Sequence, residues 1–191
     1  MIIDFVGKFY DNHSLSIINR NIVTKLAEVH PDWEISITPL DSYDPEYKLD
    51  KNTIKQLKNL EQAETGEPDI QLRHSYPPIW QWPASDRTKV VFIQPWEYTK
   101  APFEWQYKFE TFADALIVPS NFVATVFRNA GLRPDNVFVV PNGNDKELFN
   151  NSDYDDKKFK HRKEFRNKLP TISEQNYQGY TKEIAKTIEY T

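Results

Sequence analysis

Along the first 150 residues of the chain, short apolar runs alternate with segments in which apolar residues recur at helical spacing. Residues 2–6 form an apolar run that ends at Gly7, and apolar residues then recur at helical spacing. These are Leu15, Ile18, Ile22, Leu26 and Val29. Ser14 is placed to cap this helix, and residues 33–37 alternate apolar and polar side chains as in a strand with one buried face. The pattern predicts a β-α-β unit at the start of the chain.

The same alternation continues to about residue 140. Further strands are predicted at 69–73, 89–93, 113–118 and 137–140, and helices from 54 to near Gly66, at 103–112 and at 121–130. Gly131 is placed to end the last helix, because glycine readily adopts the left-handed conformation found there. Strands that alternate with helices predict an α/β fold, a Rossmann-like parallel sheet with helices on both faces.

Residues 151–191 do not continue this pattern. Residues 153–168 are a dense mixture of charges, and a polar link after Pro170 leads to a helix predicted over 181–190. We therefore assign residues 1–150 to one domain and 151–191 to a charged linker with a closing helix. Two interpretations of this segment stay open: it leads into a second domain, or its helix packs back on the first.

Composition narrows the class of protein. Hydrophobic residues make up 39% of the chain, mean hydropathy is -0.70, and no stretch is long and apolar enough to span a bilayer. The absence of cysteine excludes disulfides, thiolate metal sites and a cysteine nucleophile. A net charge of -4 with only a mildly basic tail argues against nucleic acid as a partner. No export signal opens the chain, so we expect a cytoplasmic location, and nothing indicates association with a membrane surface.

Distinctive polar and aromatic residues follow the predicted strands. Ligands of an open parallel sheet bind outside the carboxyl ends of its strands, so these residues are expected to line one edge. The segments are 7–12, 74–78, 94–97, 119–121 and 141–145. Gly7 permits close approach of the backbone to a ligand, or serves only as a turn residue. A G-x-G-x-x-G motif is missing after the first strand, which disfavours a dinucleotide oxidoreductase.

These segments resemble one enzyme family. They include VPSNFV at 118–123, VVPNGND at 139–145 followed by Phe149, HSYPP at 74–78 and PWE at 95–97. Together they are similar to the N-terminal half of GT-B glycosyltransferases of the large retaining, family 4-like group, over residues 1 to about 150. The resemblance implies transfer of a sugar from a nucleotide-activated donor to a sugar, lipid or protein acceptor, with this half binding the acceptor.

His74 and Glu97 are the candidates for catalysis within this resemblance. His74 is placed to bond a sugar hydroxyl or, when protonated, to stabilise charge on a departing phosphate, and its alternative role is a loop histidine bonded to backbone. Glu97 is placed to orient an acceptor hydroxyl or to stabilise positive charge at the anomeric carbon, and its alternative is a carboxylate at a helix start. Gln94 stands where many relatives of this fold have a histidine.

Five residues are the candidates for acceptor binding: Gly7, Asn12, Tyr76, Trp80 and Trp96. Aromatic faces suit the C–H faces of a sugar ring or part of an acceptor lipid, and four of the five tryptophans fall between positions 80 and 105. Packing in the core is the alternative role of these tryptophans. Ser120 is expected to cap the following helix.

The donor-binding half that the resemblance implies has no counterpart in this sequence. After Asn150, a basic cluster that includes Arg162, Lys163 and Arg166 lies in a charge-mixed stretch more typical of a solvated helix. We therefore expect the chain to be inactive alone and to need a donor-binding domain or a partner chain. The nucleotide sugar is then a substrate, and neither a cofactor nor a metal is expected, because no D-x-D pair follows a strand. The alternative is a non-catalytic carbohydrate-binding or assembly module that pairs with a catalytic subunit.

Overall fold

A computed structural model describes residues 1–143 of the chain. These residues contain a sheet of six parallel strands. The strands are β1 (Ile2–Gly7), β2 (Glu34–Pro39), β3 (Ile70–His74), β4 (Lys89–Ile93), β5 (Ala115–Val118) and β6 (Val137–Val139). The helices are α1 (Ser14–Val29), α2 (Lys51–Glu61), α3 (Phe103–Phe112) and α4 (Asn121–Asn129), with short 3-10 helices at Pro45–Tyr47 and Pro134–Asn136. The sheet order is β2-β1-β3-β4-β5-β6, and every adjacent pair is parallel. The predicted α/β, Rossmann-like fold is confirmed.

Several predicted element bounds differ from the structure by a few residues, and α2 ends at Glu61 and not near Gly66. Two of the differences have a local reason. Helix α2 begins earlier than predicted because the Asp50 carboxylate accepts the backbone amides of Asn52 and Thr53, at 3.0 and 2.9 Å. Strand β5 begins later because Ala113 still closes α3 with its amide, which donates to the carbonyl of Phe109 at 2.9 Å. The bounds of α3 are those predicted from the sequence.

One face of the sheet carries an apolar cluster built on β1 and β2. Register pairs Ile3 with Ile35 and Phe5 with Ile37, and since side chains alternate along a strand, these four share a face. All four are buried, and Val23 of α1 and Leu57 of α2 join them with no exposed surface. Burial of each such side chain stabilises the fold by about 1.5–3 kcal/mol.

The opposite face carries a second cluster over β4 to β6. Strand residues Val90, Phe92, Leu116, Val118 and Val137 pack there with Trp105 and Phe109 of α3 and with Val123, Ala124 and Phe127 of α4. The register places Phe92 and Leu116 side by side, on the face away from Phe5, because Phe5 aligns through Leu72 with Val91. Helices therefore contribute to the cores on both faces, as predicted.

The most buried side of α1 is displaced from the one that the apolar spacing predicts, although Ile22 and Leu26 still pack against the first cluster. Its fully buried residues are Ser16, Asn19 and Val23, whereas Val29 is 59% exposed. The predicted cap is also wrong, since Ser14 is the first helical residue and His13 is the N-cap without a side-chain bond. The reason in both cases is a polar network at the start of the helix, which turns polar side chains inward.

Helix α4 ends as predicted at both termini. The Ser120 hydroxyl accepts the amide of Val123 at 3.3 Å, which caps the first turn. Gly131 has a φ of +100° and donates its amide to the carbonyl of Arg128, and the amide of Leu132 reaches back to Phe127.

The chain divides into two units, residues 1–143 and residues 144–191. The predicted boundary at residue 150, the predicted helix at 181–190, Asp145, Phe149 and the basic residues Arg162, Lys163 and Arg166 lie outside the described residues. None of the helices within residues 1–143 has the length and hydropathy that a bilayer span requires.

Candidate functional site

The order of the strands reverses between β1 and β3. From β1 the chain leads to β2 on one side, and β3 lies on the other side with the later strands beyond it. In doubly wound sheets the crevice at such a switch point, outside the carboxyl ends of the strands, is the usual ligand site. Gly7 ends β1 and His74 ends β3, and the two are register neighbours. This pair defines the floor of the candidate site.

Gly7 allows the closest approach of elements in this region. A Cβ at this position would lie 2.6 Å from Nδ2 of Asn19 and 2.8 Å from the carbonyl oxygen of His74. Both distances are too short for real carbon contacts, and the second involves backbone that has no rotamer to change. The approach of a ligand to Gly7 stays a prediction; the close approach within the described residues is between β1 at Gly7 and its neighbours α1 and β3.

Asn19 of α1 locks the end of β3. Its Nδ2 donates to the carbonyl oxygens of Lys8, at 2.9 Å, and of His74, at 3.2 Å. Its Oδ1 lies 2.5 Å from Nδ1 of the His74 ring. Because two carbonyl acceptors fix the orientation of the amide, Oδ1 must accept, and Nδ1 of His74 must carry the proton.

This tautomer leaves a lone pair on Nε2 of His74. The residue is 1% exposed, and burial lowers its pKa to about 4, so the ring is neutral at pH 7. Nε2 is buried without a hydrogen-bond partner among residues 1–143. A ring that is neutral at pH 7 disfavours one of the roles expected for His74, the stabilisation of phosphate charge as a cation.

The loop between β1 and α1 is fixed by a carboxylate from the end of β2. Asp41 accepts three successive backbone amides, those of Phe9, Tyr10 and Asp11, at 2.8, 2.9 and 3.0 Å. From the other side, the Arg20 guanidinium donates to the carbonyls of Phe9, at 2.6 Å, and Asp11, at 2.7 Å. The loop backbone is therefore held from both sides before any ligand binds.

Asp11 completes the start of α1. Its carboxylate accepts the His13 amide at 2.9 Å and the hydroxyl of Ser16, and Lys8 lies 3.5 Å away. Burial raises the pKa of Asp11, but the bonds from Ser16 and His13 outweigh it and hold the pKa below its usual value. Asn12, an acceptor-binding candidate, is exposed and donates its side-chain amide to the carbonyl of Tyr47 at 3.0 Å.

Four aromatic residues that follow β3 and β4 form what we call the aromatic rim: Tyr76, Trp96, Tyr98 and Trp105. Ring centroids lie 4.8 Å apart for Trp96 and Trp105, 5.2 Å for Trp96 and Tyr98, and 6.3 Å for Tyr76 and Trp105. Tyr76 is 63% and Tyr98 67% exposed, whereas Trp105 is 9% exposed and anchors the group. The Trp96 indole nitrogen donates to the carbonyl of Lys100 at 2.9 Å, which fixes its ring.

The predicted acceptor-binding aromatics therefore occupy different environments. Tyr76 and Trp96 belong to the rim. Trp80 and Trp96 are both partly buried against the second core, whereas Tyr76 is exposed. The Trp80 ring centroid lies 4.8 Å from that of Phe109 and 5.4 Å from that of Phe92. In the described part of the chain, Trp80 thus mainly packs against side chains of the second core.

Glu97 is exposed, and it follows β4 next to Trp96 of the rim. No hydrogen bond or ion pair joins Glu97 to His74 within residues 1–143, so any joint action of the two must pass through a bound molecule. Gln94, where many relatives of this fold have a histidine, is 2% exposed and donates its side-chain amide to the carbonyl of Pro95 at 2.9 Å.

A cavity of about 440 Å³ lies at the other end of the strands. Its lining includes Trp82, Lys89 at the start of β4, and Asp114 just before β5. These residues mark the amino ends of the strands, whereas the switch point lies at the carboxyl ends. We therefore place the candidate site by the topology and the polar network and not by this cavity.

Asn19, Asp41 and Arg20 were not among the residues singled out from the sequence, although they build the floor and its loop. The sequence carries one signal for Asn19, which is its spacing. Ser16, Asn19 and Val23 recur at helical spacing and therefore lie on one side of α1. Asp41 carries no comparable signal, because its partners lie 30 to 32 residues away in the chain.

Comparison with known proteins gives a family and a set of solved structures. The sequence model of Glycosyltransferase Family 4 matches residues 44–148, more than half of the chain. The crystal structure of Anabaena Alr3699/HepE in complex with UDP is similar at 16% identity and a TM-score of 0.43, over 85% of this chain and 50% of that one. The same protein in complex with UDP-glucose is similar at 17% identity and a TM-score of 0.42, over 85% and 49%. This chain thus spans about half the length of those structures, and no curated protein matches it.

Proposed function

The chain belongs to glycosyltransferase family 4, and from that membership we propose that residues 1–143 bind the acceptor in a sugar transfer. The donor is a nucleotide sugar held by a second domain or a partner chain, and the acceptor is a sugar, a lipid-linked group or a protein. The unit contributes the floor at the switch point and the aromatic rim, and the donor side contributes the activated sugar.

The observation that supports this proposal is the neutral, buried His74 at the switch point. Its Nε2 has a lone pair and no donor within residues 1–143, and a hydroxyl is the group that satisfies such an acceptor. An acceptor hydroxyl that reaches Nε2 is oriented by a ring that Asn19 already holds in one tautomer. Preorganisation of this kind fixes the attacking group before the donor arrives.

We assign Glu97 the role of the carboxylate that acts on the acceptor hydroxyl or on positive charge at the anomeric carbon. Its exposure on the loop after β4 leaves it free to face a second domain, and its neighbour Trp96 offers an aromatic face for the sugar ring. Independence of metal and cofactor, and a cytoplasmic location, stay predictions alongside this role.

Calorimetric titration tests the assignment of this chain to the acceptor side. A panel of uridine and guanosine diphosphate sugars is titrated into the 191-residue chain and into a version extended by a donor domain. We expect heat of binding from the extended protein only. Binding of any nucleotide sugar by the 191-residue chain itself would show that the halves have been assigned the wrong way round.

The catalytic role of Glu97 is tested in the extended protein. We expect Glu97→Gln to lower kcat by about 100-fold or more while acceptor affinity is kept, because general acid–base groups contribute about 10²–10⁴-fold. Glu67→Gln is the matched control, since Glu67 is also exposed but lies before β3, at the other end of the strands. If Glu97→Gln and His74→Ala both left turnover intact, the site would lie elsewhere.

A further inference from the structure

We propose that Asp41 is a specificity-determining residue that fills the anion-binding turn after β1, so that the switch point takes an uncharged hydroxyl-bearing group and not a phosphate. This inference rests on the proposed acceptor-binding function and names the class of group that enters the site.

The turn after the first strand of a doubly wound sheet is ordinarily suited to anions. Successive backbone N–H groups converge there, and the N-terminus of the following helix adds a partial positive charge. Phosphate groups of ligands occupy this position in dinucleotide-binding folds. In this chain the corresponding donors are the amides of residues 9–11, just before α1.

These donors already hold an anion that belongs to the chain. One carboxylate oxygen of Asp41 accepts the Phe9 amide at 2.8 Å, and the other accepts those of Tyr10 and Asp11 at 2.9 and 3.0 Å. Three charge-assisted hydrogen bonds to one carboxylate are strong, and the three donors belong to consecutive residues of one loop. A phosphate at this position has to displace Asp41 from all three.

The other polar groups of the turn are also engaged from inside. The Asp11 carboxylate takes the His13 amide and the Ser16 hydroxyl, and Arg20 donates to two carbonyls of the loop. With Lys8 beside Asp11, the turn holds two carboxylates against two cationic side chains. It therefore offers an entering phosphate no net positive charge.

The floor next to this turn favours the same class of ligand. Nε2 of His74 carries a lone pair that accepts a hydrogen bond from a hydroxyl and repels the oxygens of an anion. Asn19 joins the two features, because its Nδ2 bonds the carbonyls of both Lys8 in the turn and His74 in the floor. The turn and the floor thus select a neutral hydroxyl together.

Inorganic pyrophosphate is the probe that tests this inference on the 191-residue chain, with the amide NMR signals of residues 9–11 as the readout. We expect no shift of these signals in the natural sequence at 10-fold excess pyrophosphate over a protein concentration of about 1 mM, where a typical weak anion site is occupied. In Asp41→Ala the three amides lose their carboxylate, and we expect them to shift with pyrophosphate, with affinity at least about tenfold above that of the natural sequence. Asp86→Ala is the matched control, because Asp86 is an exposed aspartate at the amino ends of the strands, away from the switch point.

Two results would overturn the inference: shifts of the same amides in the natural sequence, or an Asp41→Ala response no greater than that of Asp86→Ala. If Asp41→Ala folds only when phosphate or sulfate is added, the anion has replaced the carboxylate, and this outcome also supports the inference. If it folds in neither condition, the titration of the natural sequence decides alone. If this inference fails, the proposed acceptor-binding function still holds, with an acceptor that carries phosphate. If the proposed function itself fails, this chain binds a nucleotide sugar in the calorimetric titration.

Discussion

The floor of the crevice and its aromatic rim are built in opposite ways. In the floor, Gly7, Asn19 and His74 lie at contact distance, and the two hydrogen bonds between Asn19 and His74 are buried. In the rim, Tyr76 and Tyr98 keep about two thirds of their surface exposed, at 63% and 67%, and each lies at an angle of 60° to a neighbouring tryptophan ring.

This difference indicates in which region a substitution changes stability and in which it changes ligand binding. A buried polar network is strongly coupled to folding, because any group left unpaired costs about 1–3 kcal/mol. Exposed aromatic rings contribute little to folding, but they offer apolar area to a ligand. Changes in the floor should therefore act first on the folded state, and changes in the rim on binding.

The largest expected effect comes from Gly7→Ala. The new methyl group would meet Asn19 at 2.6 Å and the His74 carbonyl at 2.8 Å, so β3 or α1 has to move. We expect the free energy of unfolding to fall by about 3 kcal/mol, at the upper end for an overpacked site. Urea unfolding measures this change.

Gly143→Ala is the matched control for this variant, because a Cβ at Gly143 meets nothing within 4 Å. We expect its unfolding curve to overlay that of the natural sequence within about 0.5 kcal/mol. A Gly7→Ala protein as stable as this control would show that the floor is not interlocked.

The next effect is a pH dependence of stability due to His74. Burial lowers its pKa to about 4 in the folded state, below the usual value of 6.5 in the unfolded chain. The contribution is therefore fully present above pH 6.5 and is lost as the pH falls from 6.5 towards 4, because the unfolded state takes up the proton first. Between pH 7 and pH 5 we expect this residue alone to lower the free energy of unfolding by about 2 kcal/mol.

His74→Gln separates this contribution from the titration of the carboxylates. The variant is expected to be less stable at pH 7, but its loss on going to pH 5 should be smaller than that of the natural sequence by about 2 kcal/mol. His13→Gln serves as the control, since His13 is exposed and should keep the full pH dependence. An unchanged pH dependence in His74→Gln would mean that the ring titrates freely in the folded protein.

The fold was predictable from the sequence because each of its elements is short and local. Alternation in residues 33–37 and the apolar run before Gly7 place β2 and β1, and Gly131 marks the end of α4. Gly7 and His74 were predicted at the site for a related reason, since residues that end parallel strands meet at one edge whatever else the fold does.

The network that holds these two residues was not predictable in the same way. Asn19 meets His74 across 55 residues of sequence, and no local pattern records that contact. The apolar spacing of α1 predicted a side of the helix that is only partly buried, because polar residues at the switch point are buried by hydrogen bonds and not by hydropathy. Similarly, nothing in the spacing of the tryptophans shows that Trp80 contacts Phe109 of the second core whereas Trp96 contacts the exposed Tyr98.

The smallest effect on stability is expected for the rim, and there the readout has to be binding. We expect Tyr76→Ala and Tyr98→Ala to change the free energy of unfolding by no more than about 0.5 kcal/mol, since both rings are largely exposed. In the extended, active protein the same variants should raise the KM for the acceptor by about three- to tenfold with kcat nearly unchanged, because stacking contributes about 0.5–1.5 kcal/mol.

Trp82→Ala is the control for the rim variants, because it removes an equally exposed ring, 69% accessible, at the other end of the strands. It should leave both KM and kcat unchanged. Were Trp82→Ala to raise KM as much as the rim variants, exposed aromatic area in general would account for acceptor affinity, and the rim would lose its distinction from the rest of the surface.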